Sequence, residues 1–84
     1  MKRKVKLSKA DKEKLMPVAK NCINSSLNVA KRQKVNLSVA DFDIKVVKDL
    51  FGVEHLLVKC TKDFHYSERV YMTTEGNPDL MPDN

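Results

Sequence analysis

The sequence predicts an α+β fold in which one amphipathic N-terminal helix packs on a three-stranded antiparallel sheet and an acidic tail follows. Three observations support this prediction. Apolar residues recur every three or four positions in the first third of the chain, and at every second position further on. Residues 75–84 combine two prolines, one glycine and three acids. The length of 84 residues fits one domain with a small core.

The predicted helix begins near residue 9. Ser8 and Asp11 have capping-box spacing, so that the Ser8 hydroxyl and the Asp11 carboxylate satisfy amides of the first turn. Pro17 lacks an amide hydrogen and predicts a kink near its position, or alternatively a helix that begins there. The apolar stripe consists of Leu15, Val18, Ala19, Cys22, Ile23, Ser26, Leu27 and Ala30.

A strand is the preferred prediction after residue 41. Phe42, Ile44 and Val46 alternate with polar residues, which is typical of a half-buried strand. A helix over residues 39–51 is the alternative, since Ser38 to Asp41 has capping-box spacing and Gly52 suits a helix C-terminus. The sequence pattern alone does not decide between the strand and the helix.

A hairpin is predicted next, from residues 53–61 and 69–74, which are rich in residues that favour strands. The domain prediction is a basic arm at residues 1–7, a single α+β domain at residues 8–74 and a flexible acidic tail at residues 75–84.

The charge distribution is strongly asymmetric. Residues 1–34 contain eleven bases and two acids, a net +9, whereas residues 35–84 contain five bases and nine acids, a net −4; together these give the net +5 of the chain. A basic segment of this kind attracts phosphates or acidic protein surfaces. It does not by itself identify the partner.

Hydropathy and cysteine usage favour a cytoplasmic protein. No run approaches the roughly 18 apolar residues of a membrane-spanning helix, and the basic N-terminus lacks the apolar core of a signal peptide. We therefore expect no membrane contact. Cys22 and Cys60 lie within apolar patterns and are predicted to be buried, reduced thiols.

No residue pattern supports catalysis, a metal or another cofactor. His55, Cys60 and His65 lack a familiar metal-ligand spacing, and the odd offset places His55 and Cys60 on opposite faces of a strand. Asp41 and Asp43 suit the solvated face of a strand. With Gly52 and Gly76 as its only glycines, the chain has no phosphate-binding loop. We therefore expect a protein that is not an enzyme.

The leading functional hypothesis is a small intracellular interaction protein, an inhibitor or accessory regulator of a larger protein or nucleoprotein assembly, of the type that phages and mobile elements encode. The residues predicted to contact a protein partner are Tyr66, Arg69, Tyr71, Leu80 and Met81. A homodimer is also possible, since a small sheet has two open edges.

Direct binding of DNA or RNA is the alternative hypothesis. The basic residues predicted to contact phosphates could equally contact an acidic protein partner. They are Lys2, Arg3, Lys4, Lys6, Lys9, Lys12, Lys14, Lys31 and Arg32, with Asn21, Asn24 and Asn28 beside them. A weaker form of this hypothesis places a helix-turn-helix at residues 47–58, with Gly52 in the turn.

Overall fold

The structure is a computed structural model that describes residues 2–62 and 64–82. Its elements are helix α1 (Lys9–Arg32), a short 3-10 helix (Val39–Asp41) and strands β1 (Phe42–Lys48), β2 (Glu54–Cys60), β3 (Ser67–Met72) and β4 (Pro78–Pro82). The strands form one antiparallel sheet in the order β1-β2-β3-β4. The α+β prediction is confirmed, but the prediction of three strands is wrong.

The helix begins where the sequence predicts it. The Ser8 hydroxyl accepts a hydrogen bond from the Asp11 amide at 3.1 Å, and the Asp11 carboxylate accepts one from the Ser8 amide at 3.0 Å. These bonds satisfy amides that lack a partner in the helix itself. Pro17 lies inside the helix, so the alternative beginning at Pro17 is wrong. A bend at Pro17 stays a prediction.

The core lies between α1 and one face of the sheet. The helix contributes Leu15, Ala19 and Ile23, all at most 3% exposed. The strands contribute alternate residues, because successive side chains point to opposite faces: Phe42, Leu56, Val58, Cys60, Val70 and Met72. We call this the helix face of the sheet. The opposite face, which carries the odd-numbered strand residues, is the outer face.

The segment from Ser38 to Lys48 resolves the choice between strand and helix. The Asp41 carboxylate accepts from the Ser38 amide at 2.9 Å, but the helical turn it starts ends after three residues. Phe42–Lys48 then pairs with Glu54–Cys60 over seven residues. The alternation of buried and exposed residues therefore prevails over the capping pattern, and both the helix and the helix-turn-helix alternatives are wrong.

The fourth strand lies in the segment that the sequence analysis assigned to an acidic tail. A turn joins it to β3: Thr73 donates its amide to the Asn77 carbonyl at 2.9 Å, and Gly76, at φ +85°, donates to the Thr73 carbonyl at 3.0 Å. Val70 then pairs with Leu80. The two prolines and the acids predict a flexible tail here, but an edge strand tolerates prolines, and residues 78–82 form one.

Residues 2–5 lie between the start of β2 and the residues after β3. Lys4 donates its amide to the Met72 carbonyl at 2.7 Å, and Thr74 donates to the Lys2 carbonyl at 3.0 Å. On the other side, Glu54 donates to the Val5 carbonyl at 2.8 Å. The backbone of this basic segment is thus hydrogen-bonded to the sheet.

Candidate functional site

The most exposed apolar side chains lie at the tip of the β1–β2 hairpin. Leu50 is 101% exposed and Phe51 is 88% exposed. The hairpin tip, residues 49–53, connects two strands that are paired along their full length. Leucine and phenylalanine side chains gain free energy when they leave water. Two adjacent ones on a loop therefore form a candidate protein-docking site.

The Asp49 carboxylate fixes the backbone of this tip. It accepts hydrogen bonds from the amides of Phe51 at 2.8 Å and Val53 at 3.0 Å. The Asp49 carbonyl accepts from Gly52 at 3.0 Å, and Gly52 adopts φ +77°, where side chains other than glycine are strained. The bonds from Val53 and Phe51, with one from the Tyr71 hydroxyl, hold the pKa of the Asp49 carboxyl below its usual value, although burial opposes the shift. The tip is therefore preorganised.

A stack of three side chains on the outer face supports the hairpin tip. The His55 and Tyr71 rings lie 4.2 Å apart and nearly parallel, and the Arg3 guanidinium lies 4.0 Å above the Tyr71 ring. Arg3 also forms an ion pair with Asp79 at 2.8 Å. The Tyr71 hydroxyl donates to Asp49 at 3.3 Å, so the stack is joined directly to the tip.

Hydrogen bonds at both ring nitrogens fix the orientation of His55. His55 Nδ1 donates to the Val53 carbonyl at 3.0 Å, and His55 Nε2 accepts from the Arg69 guanidinium. His55 is fully buried. Its role is consequently structural: it anchors the base of the hairpin tip on β3.

An open depression of about 460 Å³ lies beside the tip, and the strand residues of the outer face that line it are Arg69, Tyr71 and Met81. Leu50, Tyr71 and Met81 contribute apolar surface to it, whereas Lys48 and Arg69 contribute positive charge. The depression and the tip form one continuous surface, which we call the tip surface: Lys48, Leu50, Phe51, Arg69 and Met81.

A larger groove of about 820 Å³ lies on the helix face, between α1 and strands β3 and β4. The Tyr66 hydroxyl donates to the Glu68 carboxylate in this groove at 2.6 Å. Burial, and then the Glu68 charge, raise the pKa of the Cys22 thiol. A raised pKa disfavours the thiolate, so the groove does not present Cys22 as a nucleophile.

The residues considered for metal binding do not come together. His55 lies on the outer face, whereas Cys60 is buried on the helix face and His65 is exposed after β2. Within the described ranges, no three histidine, cysteine or acidic side chains are placed to hold a metal ion. Both cysteines are free and buried.

The predicted phosphate-binding residues fall into two groups. Arg3, Lys4 and Lys14 bind within the protein: to Asp79, to Asp11 at 3.1 Å and to the Gly76 carbonyl at 2.6 Å. The side chains of the others make no ion pair with a described residue. They are Lys2, Lys6, Lys9, Lys12, Lys31 and Arg32; Asn21, Asn24 and Asn28 lie exposed on α1 near the last two.

The five residues predicted to contact a protein partner are divided between the two faces of the sheet. Arg69, Tyr71 and Met81 lie on the outer face, and Tyr71 is only 3% exposed. Tyr66 and Leu80 lie on the helix face and line the groove. Arg69 and Met81 thus belong to the tip surface, whereas Tyr66 packs edge-to-face on Phe42 at 6.0 Å.

The sequence predictions missed Leu50 and Phe51, because they used Gly52 as a possible helix end or as the turn of a helix-turn-helix. The relevant pattern was Asp49 followed three residues later by glycine between two strand-forming runs, which favours a tight turn. Had that turn been recognised, it would have placed both apolar side chains in solvent.

Comparisons with protein-family models, with curated proteins and with solved structures each find no match to this chain. No relative therefore supplies a function or a set of functional residues. Among the residues that the structure describes, no helix is long and apolar enough to cross a membrane.

Proposed function

We propose that this chain is a small non-enzymatic interaction protein that inhibits or regulates a larger protein assembly and docks on it through the hairpin tip. One observation carries the proposal: Leu50 and Phe51 are exposed on a loop whose backbone is already fixed. A loop that is ordered before binding loses less entropy on binding. Aromatic anchors of this kind commonly dominate the binding energy of an interface.

The charges beside the tip indicate the chemistry of the partner. Lys48 and Arg69 border the depression next to Leu50, and the chain as a whole carries +5. A complementary surface has an apolar pocket for the Leu50 and Phe51 side chains and acidic residues around it. The proposed partner is therefore a protein with an acid-rimmed apolar pocket.

A double variant, Leu50→Ser with Phe51→Ser, tests the proposal. Its matched control is Val39→Ser, which changes an apolar side chain that is 59% exposed in the 3-10 helix, outside the tip surface. Because all three side chains are exposed, both variants should retain the wild-type stability to within about 0.5 kcal/mol. Urea unfolding of the purified proteins measures this.

The binding measurement is a pull-down from an extract of the source cells, at about 150 mM and about 500 mM salt and after nuclease treatment. We expect wild type and Val39→Ser to retain one protein in stoichiometric amount, and the double variant to lose it. With that protein purified, the dissociation constant should rise at least about tenfold in the double variant. Equal retention by all three proteins would refute docking through the tip.

Nucleic-acid binding remains the second candidate, favoured by one observation. Lys9, Lys20 and Lys31 are exposed on the solvent side of α1 and make no ion pair with a described residue. They extend along about 33 Å of helix, at 1.5 Å per residue. Their spacing allows contact with phosphates. None of the three lysines belongs to the tip surface.

A further inference from the structure

The two edges of the sheet differ in their capacity to accept another strand. In an antiparallel pair, alternate residues direct their N–H and C=O groups toward the neighbouring strand. Thr61 donates its amide to the Asp41 carbonyl at 2.8 Å, and Asp49 donates to Val53 at 3.2 Å, at the two ends of the β1–β2 pairing. The odd-numbered residues of β1 therefore face β2, and the even-numbered residues face the open edge.

The open edge of β1 has most of its hydrogen-bonding groups available. The amides of Ile44, Val46 and Lys48 bond to no described residue on the open side, whereas the Phe42 amide already donates to the Val39 carbonyl at the end of the 3-10 helix. The strand is seven residues long. A row of three donors and four acceptors at this spacing matches another extended chain.

The opposite edge of the sheet is blocked. The bond from Thr73 to the Asn77 carbonyl shows that odd-numbered residues of β4 face β3. Pro78, Leu80 and Pro82 consequently face outward, and the two prolines have no N–H to donate. Prolines at such positions prevent strand addition. Of the two edges, β1 is the one that can pair.

We propose that β1 pairs antiparallel with β1 of a second copy of this chain, around a two-fold axis at Ile44. Only residues that face the open edge can bond across it, so Ile44 exchanges two hydrogen bonds with Ile44 of the other copy, and the Val46 amide donates to the Phe42 carbonyl of the other copy. The result is a continuous eight-stranded sheet with both helices on the same face. Val46, now 45% exposed on the helix face, packs against Phe42 of the second copy.

Charge complementarity selects this register. With the axis at Ile44, Asp43 of each copy lies opposite Lys45 of the other, in the closely spaced type of pair. An axis at Asp43 would place Asp43 opposite itself, and an axis at Lys45 would place Lys45 opposite itself. An axis at Val46 would place Ile44 opposite the charged Lys48. Within β1, the axis at Ile44 is the one of these four registers that places neither two like charges nor an apolar and a charged side chain opposite each other.

This inference goes beyond the proposed function and does not depend on it. The hairpin tips lie at the two far ends of the paired strands, and Leu50 is six residues from the axis. At about 3.4 Å per residue the two tips are about 40 Å apart. The dimer would hence present two docking tips at once.

Sedimentation equilibrium of the isolated chain, from low micromolar to millimolar concentration, tests the dimer. We expect a monomer–dimer equilibrium for the wild type. Asp43→Lys and Lys45→Asp should each weaken the dimer by about tenfold or more, because two attractive pairs become repulsive. The double variant Asp43→Lys with Lys45→Asp restores both pairs and should recover most of the wild-type affinity.

Lys59→Asp is the matched control. Lys59 lies opposite Asp43 within the same chain, on β2, and is away from the open edge. The variant disturbs the intrachain pair that Asp43→Lys also disturbs, but it leaves the dimer contact intact. Its dimerisation should match that of the wild type. Circular dichroism verifies that each variant folds.

Amide hydrogen exchange of the wild type gives a second measurement that requires no variant. At high concentration the amides of Ile44 and Val46 should become protected, whereas those of Lys48 and Leu80 should not. A chain that stays monomeric at millimolar concentration would overturn the proposal. So would a dimer insensitive to the single charge reversals, a double variant that does not recover, or protection centred on β4.

Discussion

At the scale of single residues, Asp49 determines the conformation of the hairpin tip. Its carboxylate accepts two backbone amides and the Tyr71 hydroxyl. These bonds are strongest to the ionised form, so the pKa of Asp49 in the folded chain lies below that in the unfolded chain. The stability that Asp49 contributes is therefore complete above about pH 4 and is lost as the pH falls further.

We expect Asp49→Asn to flatten the decline in stability below about pH 4. The asparagine oxygen still accepts an amide but has no charge to lose. The measurement is the urea midpoint at neutral and at acidic pH, for wild type and variant. Some decline remains in the variant, since amides of Ser8 and Ser38 similarly lower the pKa values of Asp11 and Asp41.

Asp43→Asn is the matched control for this prediction. Asp43 is exposed on β1, and its carboxylate accepts no hydrogen bond from a described residue. At dilute protein, where the chain is monomeric, the control keeps the Asp49 hydrogen bonds, so its urea midpoint should fall further between neutral and acidic pH than that of Asp49→Asn. Identical curves for Asp49→Asn and wild type would show that Asp49 does not stabilise the tip through its charge.

At the scale of elements, residues 2–5 behave as part of the sheet. Three backbone hydrogen bonds attach them to Glu54, Met72 and Thr74, and Arg3 pairs with Asp79. Deletion of residues 1–6 should therefore lower the free energy of unfolding by about 3 kcal/mol, at about 1 kcal/mol for each backbone bond. Urea unfolding measures the loss.

The control for the deletion keeps the backbone and removes only charge. Lys2→Gln with Lys6→Gln changes two exposed side chains that make no ion pair or side-chain hydrogen bond with a described residue. We expect its stability within about 0.5 kcal/mol of wild type. If the deletion were equally harmless, residues 2–5 would not contribute to the fold.

Local patterns predicted most of the elements, and long-range pairing determined the rest. The capping box at Ser8 and the alternation after Phe42 placed α1 and β1, because both depend on neighbours in sequence. The attachment of residues 2–5 depends on partners about fifty and seventy positions away. The periodic pattern of apolar residues gives no information about such distant partners. The same holds for β4, whose prolines are compatible with a strand only because Pro78 and Pro82 face outward.

The candidate site was harder to predict for the same reason. The sequence predicts that Tyr71 contacts a partner, but Arg3 and His55 cover its ring from distant parts of the chain. Leu50 and Phe51 have no unusual composition. Their exposure becomes evident only once β1 and β2 are known to form a hairpin.

At the scale of the whole molecule, part of the positive charge in residues 1–34 is bound within the folded protein. Arg3 and Lys4 pair with acids, and Lys14 binds the Gly76 carbonyl. The charge left for a polyanion lies on Lys2 and Lys6 and along α1, where Lys9, Lys20 and Lys31 are exposed on one side of the helix. A surface of spaced lysines attracts phosphates without reading sequence.

We therefore expect only weak and non-selective binding to duplex DNA, with a dissociation constant above about 1 μM at physiological salt. The triple variant Lys9→Gln, Lys20→Gln, Lys31→Gln should reduce the salt slope of log K by as much as about 3, at about 0.9 per phosphate contact. Fluorescence anisotropy with a random-sequence duplex measures both. The control is Leu50→Ser with Phe51→Ser, which removes no charge and should bind DNA as the wild type does. Nanomolar, sequence-selective binding that the lysine changes abolish would instead favour the nucleic-acid function, because non-specific phosphate attraction does not reach that affinity.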